Sequence, residues 1–406
     1  MNIQFVSDIN VGGGAALSLR DIRTLAKSDP AGFMARTTKL IEAKKITFDQ
    51  FRDLRGLFAV LSDVKVPVNM DVMGIGQRSV MASAFPILTG NLVIAQINQA
   101  YNAIPTIGQE LVTEIDDNKK VTTMASVYAL DKNVEEVKEL KEYPEIGAAE
   151  EKVEIRHKKN GRRLSISREA ISENELPDII SRINALGEIA SDWIEEQTLR
   201  RVTDHDGSAS SGAEPYVYRP NGTGTALFSS TANTPGTRAP NGTRKDNNAF
   251  ADETDLEAAR ILLASMKNDR GKRISLPWSE VKILVPDAIV GKVLKVFNSQ
   301  YVPGVENEVS NWGPGGKWNL PNGRIISSPK MDDLSSSAWY MGIPQRQFVR
   351  KWKLRMEYLT LGADTESYLR RDVAFQARIA WDVEIGARDY VFWIQNLSGT
   401  TAPKDE

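Results

Sequence analysis

The sequence predicts an α+β fold with one long helix, an extended β-hairpin and two long strands near the C-terminus. The helix is predicted over 171–202, because apolar residues recur there with a period close to 3.6 residues. The hairpin is predicted over 116–170, where a run of acidic residues precedes a run of basic ones. The strands are predicted over 351–358 and 373–385, because apolar and polar residues alternate strictly there. The second strand would reach roughly 43 Å, well beyond the usual strand length.

Composition excludes several classes of function. The chain has 406 residues, 51 of them basic and 53 acidic, and a formal net charge of -2. This balance argues against a dedicated nucleic-acid-binding protein, which usually has an excess of basic residues. The absence of cysteine excludes disulfides, thiolate zinc sites and cysteine nucleophiles. With His157 and His205 as the only histidines, we expect no histidine-rich metal site.

No run of 18 apolar residues occurs, and the N-terminus lacks the basic start and apolar core of a signal peptide. We therefore expect a soluble protein made in a cytosol. Residues 1–65 predict an N-terminal helical arm, with a helix of one apolar face over 48–61. A peripheral segment is expected to follow over 66–115.

Opposite charges follow one another in the predicted hairpin. Residues 131–154 contain nine acidic residues and four lysines, whereas 155–168 contain six basic residues and no acidic one. Asn160-Gly161 is the pair favoured in a tight hairpin turn, so we expect the chain to reverse direction there. The plain interpretation of the charges is a solvated hairpin. A more specific interpretation is that the acidic run docks onto the basic run of a neighbouring copy. Such pairing would steer the two copies together and fix their register.

The long helix is expected to begin with Ser172 as its N-cap and Pro177 in its first turn. Residues 203–275 predict a peripheral domain that begins with a long loop rich in Gly, Ser, Thr, Asn and Pro. In this domain, Thr254 and Glu257 predict a capping box that opens a helix.

Residues 276–345 predict an axial α/β domain. Val281–Val285 is a predicted strand that Pro286 ends, and Asp287 is expected to cap an amphipathic helix. No glycine-rich phosphate loop lies between strand and helix, which disfavours a nucleotide-binding fold. Residues 346–406 then predict the closing peripheral strands, with Gly386 ending the longest of them.

Four stretches in this order resemble the major capsid protein of tailed phages, with the Hong Kong ninety-seven type of fold, and most closely the Mu-type prophage major head subunits. The stretches are 153–170, 227–233 with the helix after it, 283–287, and 369–390. The resemblance implies the end of the family's extended loop for the first and the start of its axial domain for the third. The last is similar to the family's closing peripheral strand.

The resemblance implies a structural protein that self-assembles as hexamers and pentamers into an icosahedral shell around phage double-stranded DNA. It implies assembly in the host cytoplasm with portal and scaffolding or decoration proteins, and no catalytic residue, cofactor, metal or membrane. Some family members crosslink through a loop lysine and a C-terminal asparagine. Lys132, Lys138, Lys141 and Asn396 are the candidates for that here. Because we find no match for the family's catalytic glutamate, the crosslink is not carried over to this chain.

The distribution of charged residues along the sequence indicates candidates for an assembly interface. We expect the basic strip 346–355 to contact the acidic loop of a neighbour in preference to DNA. The candidate interface residues are Glu135, Glu136, Glu139, Glu142, Arg156, Lys158, Lys159, Arg162, Arg163, Arg350, Lys351 and Lys353.

Two other functions stay open at this point. A bacterial nanocompartment shell of the same fold would enclose cargo enzymes, and the contents of native particles distinguish it from a capsid. A carbohydrate-binding protein is the remote alternative, because seven of the eight tryptophans fall between 278 and 393. Tryptophans in alternating strands, however, belong more often to a core than to a sugar site.

Overall fold

The structure is a computed structural model of the chain, and it describes most of the residues from 94 to 400. The described ranges are 94–125 without 95 and 105, 152–167, 176–205, 227–230, 238–268, 271–298, 324–361 and 373–400. The predicted N-terminal arm (1–65), the Ser172 cap and the acidic part of the hairpin lie outside these ranges.

The chain divides into two compact units, which are described separately. The first comprises Met1–Pro105, Lys159–Trp193 and Arg355–Trp381, and the second comprises Thr106–Lys158, Ile194–Leu354 and Asp382–Glu406.

Helices and strands alternate irregularly along the chain, as in an α+β protein. The helices are α1 (96–103), α2 (Gly108–Leu111), α3 (Leu176–Thr203), α4 (Glu253–Ala264), α5 (Asp287–Asn298), α6 (Pro329–Leu334) and α7 (Pro344–Gln347). The strands are β1 (Thr113–Asp116), β2 (Val121–Ala125), β3 (Lys152–Arg156), β4 (Lys159–Ser167), β5 (Arg244–Lys245), β6 (Lys282–Pro286), β7 (Ile325–Ser328), β8 (Trp339–Gly342), β9 (Phe348–Leu361), β10 (Val373–Ala387) and β11 (Trp393–Asn396).

A five-stranded sheet in the order β5-β11-β8-β6-β7 forms the centre of the second unit. Strand β6 pairs in parallel with β7 and antiparallel with β8, and α5 connects β6 towards β7. The predicted strand and helix on either side of Pro286 are therefore confirmed within one residue. The fully buried Trp339, Tyr340 and Trp393 fill the core, with the rings of Tyr340 and Trp393 stacked at 6.2 Å. These tryptophans are core residues and offer no sugar-binding face.

The two long strands are confirmed, and both are longer than predicted. Strands β9 and β10 lie side by side in a four-stranded sheet of order β1-β9-β10-β4. In β9 the expected alternation holds from Arg355 to Leu359. Before that, every residue from Phe348 to Trp352 is buried, so the predicted polar face is wrong there.

The sequence-based end of the longest strand is also wrong. Strand β10 continues through Gly386 to Ala387, and its acidic Asp382 and Glu384 are buried. Strict alternation indicates one solvated face, but every residue from Ile379 to Ala387 is buried, so both faces of this part of the strand are covered. Beyond it, the predicted strand over 389–395 is shorter and begins at Trp393.

The long helix is confirmed as α3, with 28 residues and Pro177 in its first turn. Gly187 lets α3 approach another helix of the first unit, because an added Cβ would lie 2.5 Å from the carbonyl oxygen of Ile97. The side chain of Gln96 donates to Asn184 across the same contact at 2.8 Å. After the helix, Asp204 adopts a positive φ of 49°, a common way to end a helix.

The predicted turn at Asn160-Gly161 is wrong. Strand β3 pairs antiparallel with β2, from Val121 opposite Arg156 to Ala125 opposite Lys152, so these two strands form the base of the hairpin. Strand β4 runs straight through Gly161 and lies beside β10. An added Cβ at Gly161 would lie 2.6 Å from the carbonyl oxygen of Ile379, so close packing selects this glycine.

The capping box of α4 lies two residues before the predicted one. Asp252 is the N-cap, and its carboxylate accepts from the backbone N–H of Thr254 at 2.9 Å. The carboxylate of Asp255 in turn accepts from the backbone N–H of Asp252 at 3.2 Å. Thr254 and Glu257 fit the usual Ser/Thr-x-x-Glu/Gln pattern, but the structure forms the box with the carboxylates of Asp252 and Asp255.

Candidate assembly surface at the base of the hairpin

An exposed basic segment links β3 to β4. Arg156 is the last residue of β3, and Lys158, Lys159, Arg162 and Arg163 follow it with exposed side chains. Because β4 is continuous, the cations at 159–163 are distributed along one strand, where the prediction had placed a turn. Since successive side chains of a strand point to opposite faces, Lys159 and Arg163 share one face of β4 and Arg162 lies on the other.

The acidic half of the predicted interface lies outside the described residues. This holds for Glu135, Glu136, Glu139 and Glu142. Strands β2 and β3, which are described, show where the chain leaves for this loop and where it returns.

Arg350 is buried inside the second unit, contrary to the expectation of an exposed basic strip. Its guanidinium lies 3.1 Å from the carboxylate of Glu114 and donates to the hydroxyl of Thr198 at 2.7 Å. Next to it, the carboxylate of Glu195 accepts from the backbone N–H groups of Ile107 and Gly108 at 2.9 and 3.0 Å. Arg350 therefore joins β1, β9 and α3 within one chain.

Lys351 is also internal, and its side chain has no exposed surface. Its ammonium lies 3.2 Å from the carboxylate of Asp117, donates to the carbonyl oxygen of Lys119 at 3.1 Å and contacts the hydroxyl of Thr122. The hydroxyl of Thr122 also donates to Asp117, and this bond is the main reason that the pKa of Asp117 lies far below its usual range. Lys351 thus fastens the start of the hairpin to β9.

Lys353 is partly exposed and lies near a buried carboxylate. Its ammonium is 3.9 Å from Asp382, with 35% of the lysine side chain exposed. Nδ1 of His157 lies 3.4 Å from the other carboxylate oxygen of Asp382, Oδ1. Of the three predicted cations on β9, Lys353 alone retains substantial exposure, so we exclude Arg350 and Lys351 from the assembly surface.

Sequence reasoning missed the acidic partners of these cations. Glu114, Asp117 and Asp382 are distant from β9 in sequence, and only the parallel pairing of β1 with β9 brings the first two to it. One indication was available, because a charged residue on an otherwise apolar strand, such as Asp382, is buried only when paired.

The described residues contain no group of three or more His, Cys, Asp or Glu residues able to hold a metal ion. In the same ranges, no helix is long and apolar enough to cross a bilayer.

A family model described as phage capsid protein matches residues 150–396, which is more than half of the chain. The chain belongs to this phage capsid protein family. The match begins just before β3 and ends with the last residue of β11, so it includes the basic segment, the whole five-stranded sheet, and all of the four-stranded sheet except β1.

Solved capsid and particle structures are also similar to this capsid protein. A virus-like particle from Pyrococcus furiosus matches at 7% identity and a TM-score of 0.44, covering 75% of this chain and 97% of that one. The mature capsid of bacteriophage PhiM1 matches at 10% identity and a TM-score of 0.43, covering 72% of this chain and 87% of that one. The capsid of a native GTA particle matches at 8% identity and a TM-score of 0.44, covering 73% of this chain and 91% of that one. No curated protein matches in sequence.

Membership of the family makes this capsid protein a structural shell subunit that associates with its own copies in the virion capsid. Asn396, the asparagine considered for a family-type crosslink to a loop lysine, is unsuited to that role. Its side chain is fully buried in β11, where it accepts from Asn248 at 3.0 Å and donates to the carbonyl oxygen of Trp339 at 3.4 Å.

Proposed function

We propose that this capsid protein forms hexamers and pentamers that close into an icosahedral shell around double-stranded phage DNA. Assembly takes place in the host cytoplasm with a portal and with scaffolding or decoration proteins, and the chain acts through its interfaces without a catalytic residue. The observation that carries the proposal is the family match over 150–396. The resemblance of four stretches to Mu-type head subunits supports the finer points.

Docking of the acidic loop onto a neighbour's basic segment is the proposed contact between copies. The basic side is Lys158, Lys159, Arg162 and Arg163, whose exposure leaves them accessible to another chain. Arg156 precedes this segment in sequence, and the partly exposed Lys353 on β9 remains a further candidate. The acidic side is Glu135, Glu136, Glu139 and Glu142. Exposed charges of this kind steer association and set register, and salt weakens their effect.

A pair of charge-reversed chains tests this contact. The loop variant carries Glu135→Lys, Glu136→Lys and Glu139→Lys, and the segment variant carries Arg162→Glu and Arg163→Glu. We expect each variant alone to remain folded and unassembled, because loop and segment then have the same sign of charge. A matched control reverses the exposed Lys272 and Arg273 on the turn after α4 and assembles normally.

Mixing the two variants distinguishes docking between copies from docking within one chain. Loop and segment of each variant repel each other, but the loop of either variant complements the segment of the other. If copies dock onto each other, an equimolar mixture forms six-membered rings with alternating chains, detectable by negative-stain microscopy and sedimentation. Five-membered rings cannot alternate and stay absent. A mixture that remains monomeric, or single variants that assemble as the wild type does, contradicts the proposed contact.

A further inference from the structure

His157 lies at the base of the hairpin, directly after β3. Its backbone N–H donates to the carbonyl oxygen of Lys120 at 3.3 Å, which extends the pairing of β2 with β3 by one step. The proposed assembly surface does not use this residue. Its side chain is completely buried, although histidine is the side chain that titrates near neutral pH.

Charged groups from three parts of the second unit surround the imidazole. Asp117 follows β1, Lys351 and Lys353 lie on β9, and Asp382 lies on β10. Lys351 pairs with Asp117, and Lys353 approaches Asp382. With a neutral imidazole, two positive charges therefore balance two negative ones. A proton on the buried imidazole of His157 adds a third positive charge to this group.

The contact between His157 and Asp382 is not a formed hydrogen bond. Nδ1 of His157 lies 3.4 Å from Oδ1 of Asp382, and among the described residues neither imidazole nitrogen nor this oxygen has a hydrogen-bond partner. A protonated imidazole has two N–H groups to satisfy, and leaving one unpaired in a buried place is costly. Burial lowers the pKa of His157, the ammonium of Lys351 lowers it further, and Asp382 opposes both effects.

We propose that His157 is a proton-sensitive latch, which holds the base of the hairpin closed when neutral and releases it when protonated. The same few residues fix the hairpin to β9 and β10, so opening at His157 also frees the ends of β2 and β3. The latch acts on the loop that the proposed function assigns to docking, and to that extent its role in assembly rests on that function.

The sign of the pH dependence follows from linkage. When a histidine has a lower pKa in the closed state than its ordinary value of about 6.5, the open state binds the proton more tightly. The closed base is then fully stable above that value and loses stability as the pH falls below it. A single proton gives a limiting slope of about tenfold in the opening equilibrium per pH unit.

Hydrogen exchange of the unassembled full-length chain tests the latch without requiring assembly. We expect amides of 121–125 and 152–157, corrected for the intrinsic pH dependence of exchange, to lose protection by up to about tenfold per unit between pH 6.5 and 5. The His157→Gln variant keeps neutral pH protection and loses this dependence. His205→Gln, the matched control at the other buried histidine, retains it.

Lys353→Gln keeps the test decisive should His157→Gln fail to fold. Lys353 is partly exposed, and removing its charge brings the pKa of His157 closer to the ordinary value, so the loss of protection on acidification becomes smaller. The latch is overturned if wild-type protection is constant or rises on acidification, or if Lys353→Gln behaves as the wild type. Because assembly is not measured, these outcomes leave the proposed docking contact untouched.

Discussion

At the scale of single residues, charge near a strand is a poor guide to exposure in this protein. Arg350 and Lys351 lie in a basic strip that charge counting assigns to a surface, yet both are buried with acidic partners. Those partners arrive through the pairing of β1 with β9, a contact between residues more than 230 positions apart. Local patterns carry no information about such a contact.

Removal of the Arg350 charge is expected to destabilise the fold. In Arg350→Met, the carboxylate of Glu114 loses its cation, and breaking a buried pair on one side costs about 3 kcal/mol when, as here, one partner retains some exposure. Denaturant unfolding of the unassembled chain measures the change. Arg163→Met at an exposed site is the control, with an expected effect below about 0.5 kcal/mol. Equal effects of both substitutions would contradict the internal role of Arg350.

At the scale of elements, the sequence predicts long, regular segments well and their surroundings poorly. Helix α3 and the unit of β6 with α5 agree with the prediction because apolar periodicity and the prolines are local features. The turn at Asn160-Gly161 and the strand end at Gly386 were both inferred from glycine. Glycine also serves close packing, and only the neighbouring strand reveals which role applies.

Two glycine substitutions separate these roles. Gly161→Ala places a methyl group against the carbonyl oxygen of Ile379, so β4 or β10 must shift, and we expect a loss of about 1–3 kcal/mol in the free energy of unfolding. Gly291→Ala lies within α5 with open space around the new Cβ, and it should stabilise by about 0.5–1 kcal/mol through helix propensity. Unfolding midpoints of the two variants provide the comparison. A neutral or stabilising Gly161→Ala would contradict close packing of β4 against β10.

At the scale of the whole molecule, the order of elements predicted the family, and the match over 150–396 confirms it. For the candidate interface, the exposure of Lys158, Lys159, Arg162 and Arg163 agrees with the sequence-based expectation, whereas Arg350 and Lys351 on β9 are buried. The docking contact itself stays a prediction. A shell subunit acts through contacts between copies, and we propose that surface charge directs these contacts. Because the net charge is only -2, we expect local charge patterns, and not the overall charge, to direct association.

Negative-stain microscopy of the purified chain at several salt concentrations, with sedimentation alongside, tests the central claim most directly. We predict rings of five and six subunits or closed shells tens of nanometres across, favoured at low salt because exposed charges direct the docking. Particles recovered from a host are expected to protect double-stranded DNA from nuclease. A chain that stays monomeric at every salt and protein concentration, or particles that contain protein cargo and no DNA, would contradict the account.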